Sequence, residues 1–210
     1  LRVSAPTSFG RLHIAPSLDR FFRQFPLVEL ELDLTDENVD LYVDRVDLAV
    51  RITSDIPGNV DAWWLAPNHR ILCASPEYIA DNGSPVDFGE LHRHRLIAAD
   101  GQLPWRLENG TRRHVVEGRS HIRTNSSEIV RELAISGVGI ALRSLWDIDL
   151  ALKAGKLVPV LPGWEAPTDL AIYALQQKTP MQSAAVIAFV DFLKDLLDPP
   201  PWDIAIMQRG

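Results

Sequence analysis

Six histidines, one cysteine and 28 carboxylates are available for chemistry in this 210-residue chain, and their spacing argues against catalysis. His92-Arg93-His94 is the one close histidine pair. Two imidazoles beside arginines lack the third ligand a metal needs, so both read as solvated surface groups. His69 and Cys73 lie four apart, but Pro67 and the strand-like run Ile71-Leu72-Cys73-Ala74 keep them off a shared helical face. Cys73 reads as a small core residue. No Gly-x-Ser-x-Gly nucleophile elbow is present. Gly137-Val138-Gly139 lacks a third glycine and follows a helix rather than a strand, so it is not a dinucleotide fingerprint. There is no phosphate-binding loop, and the carboxylates show no recognisable acid–base spacing. Asn125-Ser126-Ser127 fits a glycosylation pattern, with nothing else pointing to secretion. No catalytic residue, metal or cofactor is expected.

What remains is polar groups at strand ends. Thr7 and Ser8 follow a first strand and precede a helix. Thr35 or Asp36 can cap the next helix. Arg51 and Thr53 follow the strand-like run Asp47–Val50, and Ser75 closes Ile71–Ala74. Thr124, Asn125 and Ser126 link a strand to a helix. Hydroxyls and unpaired amides at a helix start suit a carboxylate or other anion. Taken singly, each of these residues is better explained as a helix cap; the functional reading rests on their convergence.

The elements that must position these groups follow from periodicity. Leu1 to Ala5 reads as a strand ended by Pro6. A helix over about Gly10 to Phe25 carries Leu12, Ile14, Leu18, Phe21, Phe22 and Phe25. Leu27 to Leu34 alternates, with Val28, Leu30, Leu32 and Leu34 on one face and Glu29, Glu31 and Asp33 on the other. Such a strand is half-solvated or near a sheet edge. A short helix with Val39, Leu41, Tyr42 and Val46 leads to the buried-strand run Val46–Arg51. This alternation requires parallel strands and crossover connections, which places a ligand at the loops leaving the strand ends.

Pro57-Gly58 marks a loop. Strands are expected at 62–66, 71–74, 96–99, 138–142, 157–160 and 170–175. Helices are expected at 76–82, 126–136 (ended by Gly137), 145–154 and 181–197. Asn109-Gly110 between Trp105–Glu108 and Thr111–Glu117 is a type I′ hairpin signal. The middle of the chain has its own strands and helices, and the last helix packs most simply on the first section. The expected lobes are 1–71 with 176–198, and 72–175, followed by a tail over 199–210 opened by three prolines. The strand-end groups would then converge on a cleft between the lobes. The last helix is apolar nearly all round. It is either a fully buried core helix or a homodimer interface, the latter preferred because a terminal helix is usually peripheral.

A composition of 46% hydrophobic and 23% charged residues is ordinary for a globular chain. A single cysteine cannot form an internal disulfide. No apolar run approaches the roughly 18 residues of a membrane helix, and the first residues lack a signal-peptide core; a cytoplasmic location is expected. The net charge of −7 is the wrong sign for displacing counterions from nucleic acid, so this segment alone should bind DNA poorly.

The ordered set of short stretches resembles the effector-binding domain of LysR-type transcriptional regulators. The matching stretches are Leu1–Pro6 with Ser8-Phe9-Gly10, Phe22–Pro26 leading into Val28-Glu29-Leu30, Val46–Arg51, Cys73–Ile79, Gly137–Ala141, Gly155–Val158 and Phe189–Leu193. Each is weak alone; their order and spacing over residues 1–197 are specific. The resemblance implies an α/β, two-lobed fold like that of type 2 periplasmic binding proteins, with two crossover segments and an interlobe cleft for a small anionic organic effector. It implies a homodimer or tetramer, with DNA bound only through a separate N-terminal helix-turn-helix domain. Effector contacts carried over from the family fall at Thr7, Ser8, Thr35, Arg51, Thr53, Ala98, Thr124 and Asn125. The family often has proline after the Gly-x-Gly-Ile strand, whereas this chain has Leu142-Arg143-Ser144. Arg143 either tunes effector choice or faces solvent. A solute receptor of a transport system shares the fold and is the alternative, with an enzyme on the same scaffold third.

Overall fold

The computed structural model describes residues 1–36 and 45–202. The helix expected from Val39, Leu41 and Tyr42, and tail residues 203–210, lie outside them. Two compact units result: 1–68 with 169–201, and 69–168 with the segment from 202.

In chain order the elements are β1 (Arg2–Ala5), α1 (Thr7–Phe9), a π turn (Gly10–Ile14) and a 3₁₀ turn (Ala15–Ser17) running into α2 (Leu18–Gln24), then β2 (Glu31–Leu34), β3 (Leu48–Thr53) and β4 (Val60–Pro67). The second stretch holds β5 (Arg70–Ala74), α3 (Pro76–Asn82), α4 (Phe88–Leu91), β6 (Trp105–Asn109), β7 (Arg112–Val116), α5 (Ser127–Ile135), β8 (Ala141–Ser144), α6 (Leu145–Lys153) and β9 (Val158–Pro159). The chain returns through β10 (Ala171–Gln177) and ends in α7 (Ala184–Leu197).

The first unit is built on a five-stranded sheet in the order β2-β1-β3-β10-β4. The parallel pairing expected from the alternation is present in β2-β1-β3, but β10 runs antiparallel to both β3 and β4, so the sheet is mixed. β2 is an edge strand, as its alternation implies, yet shorter than the pattern. β1 offers partners only from Arg2 to Ala5, matched to Glu31–Leu34. Upstream of Glu31 the pairing shrinks to the Leu1 ammonium donating to the Glu29 carbonyl at 2.8 Å, and Leu27 is 95% exposed.

The boundary expected at 175/176 is corrected by β10. Residues 171–175 pair with Thr53 through Ala49 and so belong to the first sheet, because the hydrogen bonds of β3 and β4 need a strand between them.

α7 packs back on the first section, as the sequence implies. Phe21 of α2 lies edge-on to Phe189 at 5.0 Å and tilted against Phe192 at 5.2 Å. Phe21, Val186, Phe189, Val190, Phe192, Leu193 and Leu197 are buried. Each such side chain contributes about 1.5–3 kcal/mol by leaving water. One broad face of α7 is therefore covered within its own unit, and Ile187 lies on the exposed remainder.

The second unit has a three-stranded sheet in the order β8-β5-β9 and the β6–β7 hairpin. Leu72, Trp105, Leu107, Val116, Ile140 and Leu142 lie in one core cluster. The hairpin is as expected but its loop is one residue further on. Asn109 pairs with Arg112, leaving Gly110-Thr111 as the two-residue loop. Gly110 has φ +58° while Thr111 is not in the positive region, which is the II′ rather than the I′ pattern. The strand expected at 96–99 reduces to a single parallel bridge, Leu96 to Ile140. There the backbone approaches so closely that a Cβ on Gly139 would lie 2.3 Å from the Arg95 carbonyl oxygen. The strand expected at 138–142 correspondingly begins only at Ala141.

Candidate functional site

In the first unit, β1 ends at Pro6 and the chain turns directly into helix. The Thr7 amide donates to Asp36 Oδ1 at 2.9 Å, and the Thr35 amide donates to the Ala5 carbonyl at 2.9 Å. These bonds tie the ends of β1 and β2 together. Ser8 is 2% exposed, and its hydroxyl has no hydrogen-bond partner among the described residues. A buried hydroxyl in that state costs about 1–3 kcal/mol, so it needs an explanation that packing does not give.

Arg51 emerges from β3 half-buried. Its Nη1 donates to the Val50 carbonyl at 2.7 Å and its Nη2 to Ser4 Oγ at 2.9 Å. Both acceptors are neutral, and no carboxylate pairs with it among the described residues. Burial lowers its pKa, partly offset by the field of Asp33. Ser4, fully buried on β1, was not among the residues singled out from the sequence. Thr53 is occupied locally: its hydroxyl donates to the Asp55 carbonyl at 2.9 Å and accepts from the Asp55 amide at 3.0 Å.

In the second unit, the buried Ala98 gives its amide to Ser120 Oγ at 2.9 Å. Thr124 Oγ1 accepts from the Ser126 amide at 3.1 Å, and the Thr124 carbonyl accepts from the Asp100 amide at 2.8 Å. Asn125 is exposed. Ser126 caps α5 by accepting from the Ile129 amide. Ser75 is likewise a helix cap, accepting from the Tyr78 amide at 3.1 Å.

Arg143 neither faces solvent nor stands free. It is buried, with Nε donating to Asp147 Oδ2 at 2.9 Å and Nη2 to the same oxygen. Its Nη1 donates to Ser127 Oγ at 3.1 Å. Arg131 donates to the other oxygen of Asp147 at 3.0 Å and pairs with Glu132 and Glu128; burial is the largest single influence and lowers its pKa, but the hydrogen bonds and charges of Glu132 and Asp147 together outweigh it and raise the pKa. Gln102 Nε2 donates to the same Ser127 oxygen at 2.8 Å, while its Oε1 accepts from the Ala99 amide at 3.3 Å. Sequence reasoning passed over Ser127, Gln102 and Asp147. The Arg143-x-x-x-Asp147 spacing is visible in the sequence, but Ser127 and Gln102 reach it across separate elements.

The remaining candidates resolve into structure. The His94 ring is hydrogen-bonded through Nδ1 to the Tyr78 hydroxyl at 3.2 Å, and His69 pairs with Glu165 at 3.1 Å. Cys73 is fully buried, and desolvation pushes its thiol up to about 12. Among the described residues no cluster of three metal-ligating side chains exists, and no helix is long and apolar enough to cross a membrane.

The profile of the LysR substrate binding domain matches residues 1–198. The chain belongs to the LysR-type regulator family. It is 36% identical over 197 residues to the HTH-type transcriptional activator TtdR of Escherichia coli K12, covering 92% of this chain and 63% of that one. It is 38% identical over 199 residues to the HTH-type transcriptional regulator DmlR of the same organism, covering 92% and 64%. The chain thus spans less than two thirds of these relatives. Among solved structures, the regulatory domain of CrgA from Neisseria meningitidis aligns with a TM-score of 0.84 at 26% identity, over 93% of this chain and 97% of that one. Full-length AphB of Vibrio cholerae aligns with a TM-score of 0.82 at 27% identity, over 93% and 67%. The fold is the type 2 periplasmic-binding-protein-like α/β fold, and the chain is the effector-binding regulatory domain of a LysR-type regulator rather than a transport receptor.

Proposed function

We propose that this LysR-type domain senses a small anionic organic effector, with Arg51 supplying the charge that recognises a carboxylate. The observation that carries the proposal is the half-buried guanidinium held by two neutral oxygens, Ser4 Oγ and the Val50 carbonyl. It is desolvated but not neutralised, and a carboxylate would gain charge-assisted hydrogen bonds there. The orphaned Ser8 hydroxyl supports the same reading, since an effector oxygen would satisfy it. Thr7, Thr35, Thr53, Ala98, Thr124 and Asn125 are the further proposed contacts. The Ala98 amide already has a partner, so that residue contributes shape; the Thr7 amide is likewise taken, which leaves Thr7 its hydroxyl to offer.

The domain is proposed to be non-catalytic and cytoplasmic, and to work in a homodimer or tetramer. Effector binding would act through differential affinity for two arrangements. DNA would be bound by a helix-turn-helix segment of the kind for which its relatives are named. A screen of small organic acids for thermal stabilisation identifies the ligand class. In calorimetry on the best binder, Arg51→Ala is expected to weaken affinity by roughly tenfold or more, and Arg119→Ala, on an exposed loop, to leave it unchanged. Equal effects of the two substitutions would overturn the assignment.

A further inference from the structure

Within the first unit, α2 and α7 leave a cavity of about 490 Å³ between them, lined by Asp19, Arg20, Arg23, Gln24, Phe192 and Asp195. That volume lies in the range of small-ligand sites. Its apolar lining is the buried Phe192 ring, fixed by Phe21 at 5.2 Å and Phe189 at 5.7 Å. The four residues from α2 lie on one face of that helix, because positions three and four apart are neighbours there. Asp19 and Arg23 neutralise each other through an ion pair of 2.7 Å. Arg20 and Asp195 do not. The Arg20 guanidinium lies over the Phe192 ring, 5.1 Å from its centroid. It meets no carboxylate, Asp195 meets no cation, and the Gln24 amide has no hydrogen-bond partner among the described residues. Exposed charges scattered over a surface are simply solvated. Here two opposite ones face a single cavity without closing on each other, and the contact with Phe192 holds one of them in place.

We propose that this cavity is a second small-molecule site, which does not include Arg51, and that it takes a free amino acid or a similar zwitterion. Arg20 receives the carboxylate and Asp195 the ammonium, so the ligand supplies both missing partners. A simple anion would be opposed by Asp195 and a simple cation by Arg20. Gln24 can donate to the carboxylate or accept from the ammonium, and the body of the ligand lies against Phe192. The Asp19–Arg23 pair forms a wall that adds no net charge. Because such a ligand touches both helices, its binding stabilises the packing of α7 on the first section by mass action.

The test is a heteronuclear NMR titration of the chain with leucine, with N-acetylleucine, which keeps only the carboxylate, and with leucinamide, which keeps only the ammonium. Leucine is expected to give saturable shifts of the α2 and α7 amides. Each single-charge analogue should bind more weakly by about fivefold or more. Asp195→Asn should weaken leucine by a similar factor without weakening N-acetylleucine. Arg20→Gln should weaken leucine without weakening leucinamide, and Arg20→Lys, which keeps the charge, should recover part of the loss. Both side chains are exposed and neither holds an ion pair, so the melting temperatures of the variants should stay close to the parent's. Absence of saturable shifts on the two helices, equal affinity for leucine and N-acetylleucine, or parental leucine affinity in either Asp195→Asn or Arg20→Gln would overturn the proposal. Shifts confined to the surroundings of Ser4 and Arg51 would place leucine at the effector position, overturning this proposal and leaving the Arg51 assignment intact.

Discussion

Two arginines on strands, one in each unit, meet opposite fates. Arg51 on β3 is held by a serine hydroxyl and a backbone carbonyl, so its charge is unspent. Arg143 on β8 is locked to Asp147, whose side chain is fully buried, and shares that carboxylate with Arg131. A guanidinium that already owns a carboxylate is a structural part. One supported by neutral oxygens remains available to an incoming anion. The partner, more than the depth of burial, separates the two roles.

The contrast is broken most severely at Asp147. Asp147→Asn leaves two buried guanidiniums without their shared charge and is expected to destabilise the domain by about 3–5 kcal/mol, measured by urea denaturation. A loss as small as that of a surface substitution would remove the distinction drawn between the two arginines. Cys73 gives the second probe, because Arg143 and Asp147 act on it with opposite signs beneath a dominant desolvation. Its folded pKa, about 12, lies above its unfolded 9.0. The associated stability is therefore fully present below pH 9.0 and is lost as the pH rises toward about 12. At neutral pH a thiol reagent should label Cys73 only as fast as the protein unfolds; rapid labelling of the folded domain would contradict the burial. The smallest effect is expected for Arg51→Met, within about 1 kcal/mol of the parent in denaturation, since no ion pair is broken. A large loss there would make Arg51 a structural residue after all.

Much of this was legible in the sequence where the controlling interactions are local. Pro76 and Ser75 mark the start of α3, Gly137 the stop after α5, and the solvated alternation of β2 its edge position, because caps and side-chain periodicity act within a few residues. β2 lost its first half and the strand at 96–99 became one bridge because strand length is set by the neighbour, here the four residues of β1 and the pinch at Gly139. The assignment of β10 to the first sheet depends on partners more than a hundred residues away. The candidate-site residues divide in the same way. Arg51 and Ser8 could be found from their places at strand ends. The cluster of Gln102, Ser127 and Arg143 could not, because each is ordinary in its own element and the three meet only at one oxygen.

The position of β10 between β3 and β4 also has a consequence for biosynthesis. Residues 69–168 are contiguous and include the three-stranded sheet, the hairpin and the helices of the second unit, so most of that core can close while the ribosome is still at work. The first sheet has β1, β2, β3 and β4 in hand early, yet β3 and β4 have no common ladder until a strand made more than a hundred residues later slides in between them. The sheet that carries Arg51 is thus begun before the second unit and completed after it, and a nascent chain arrested before Ala171 would display Arg51 on an unfinished sheet.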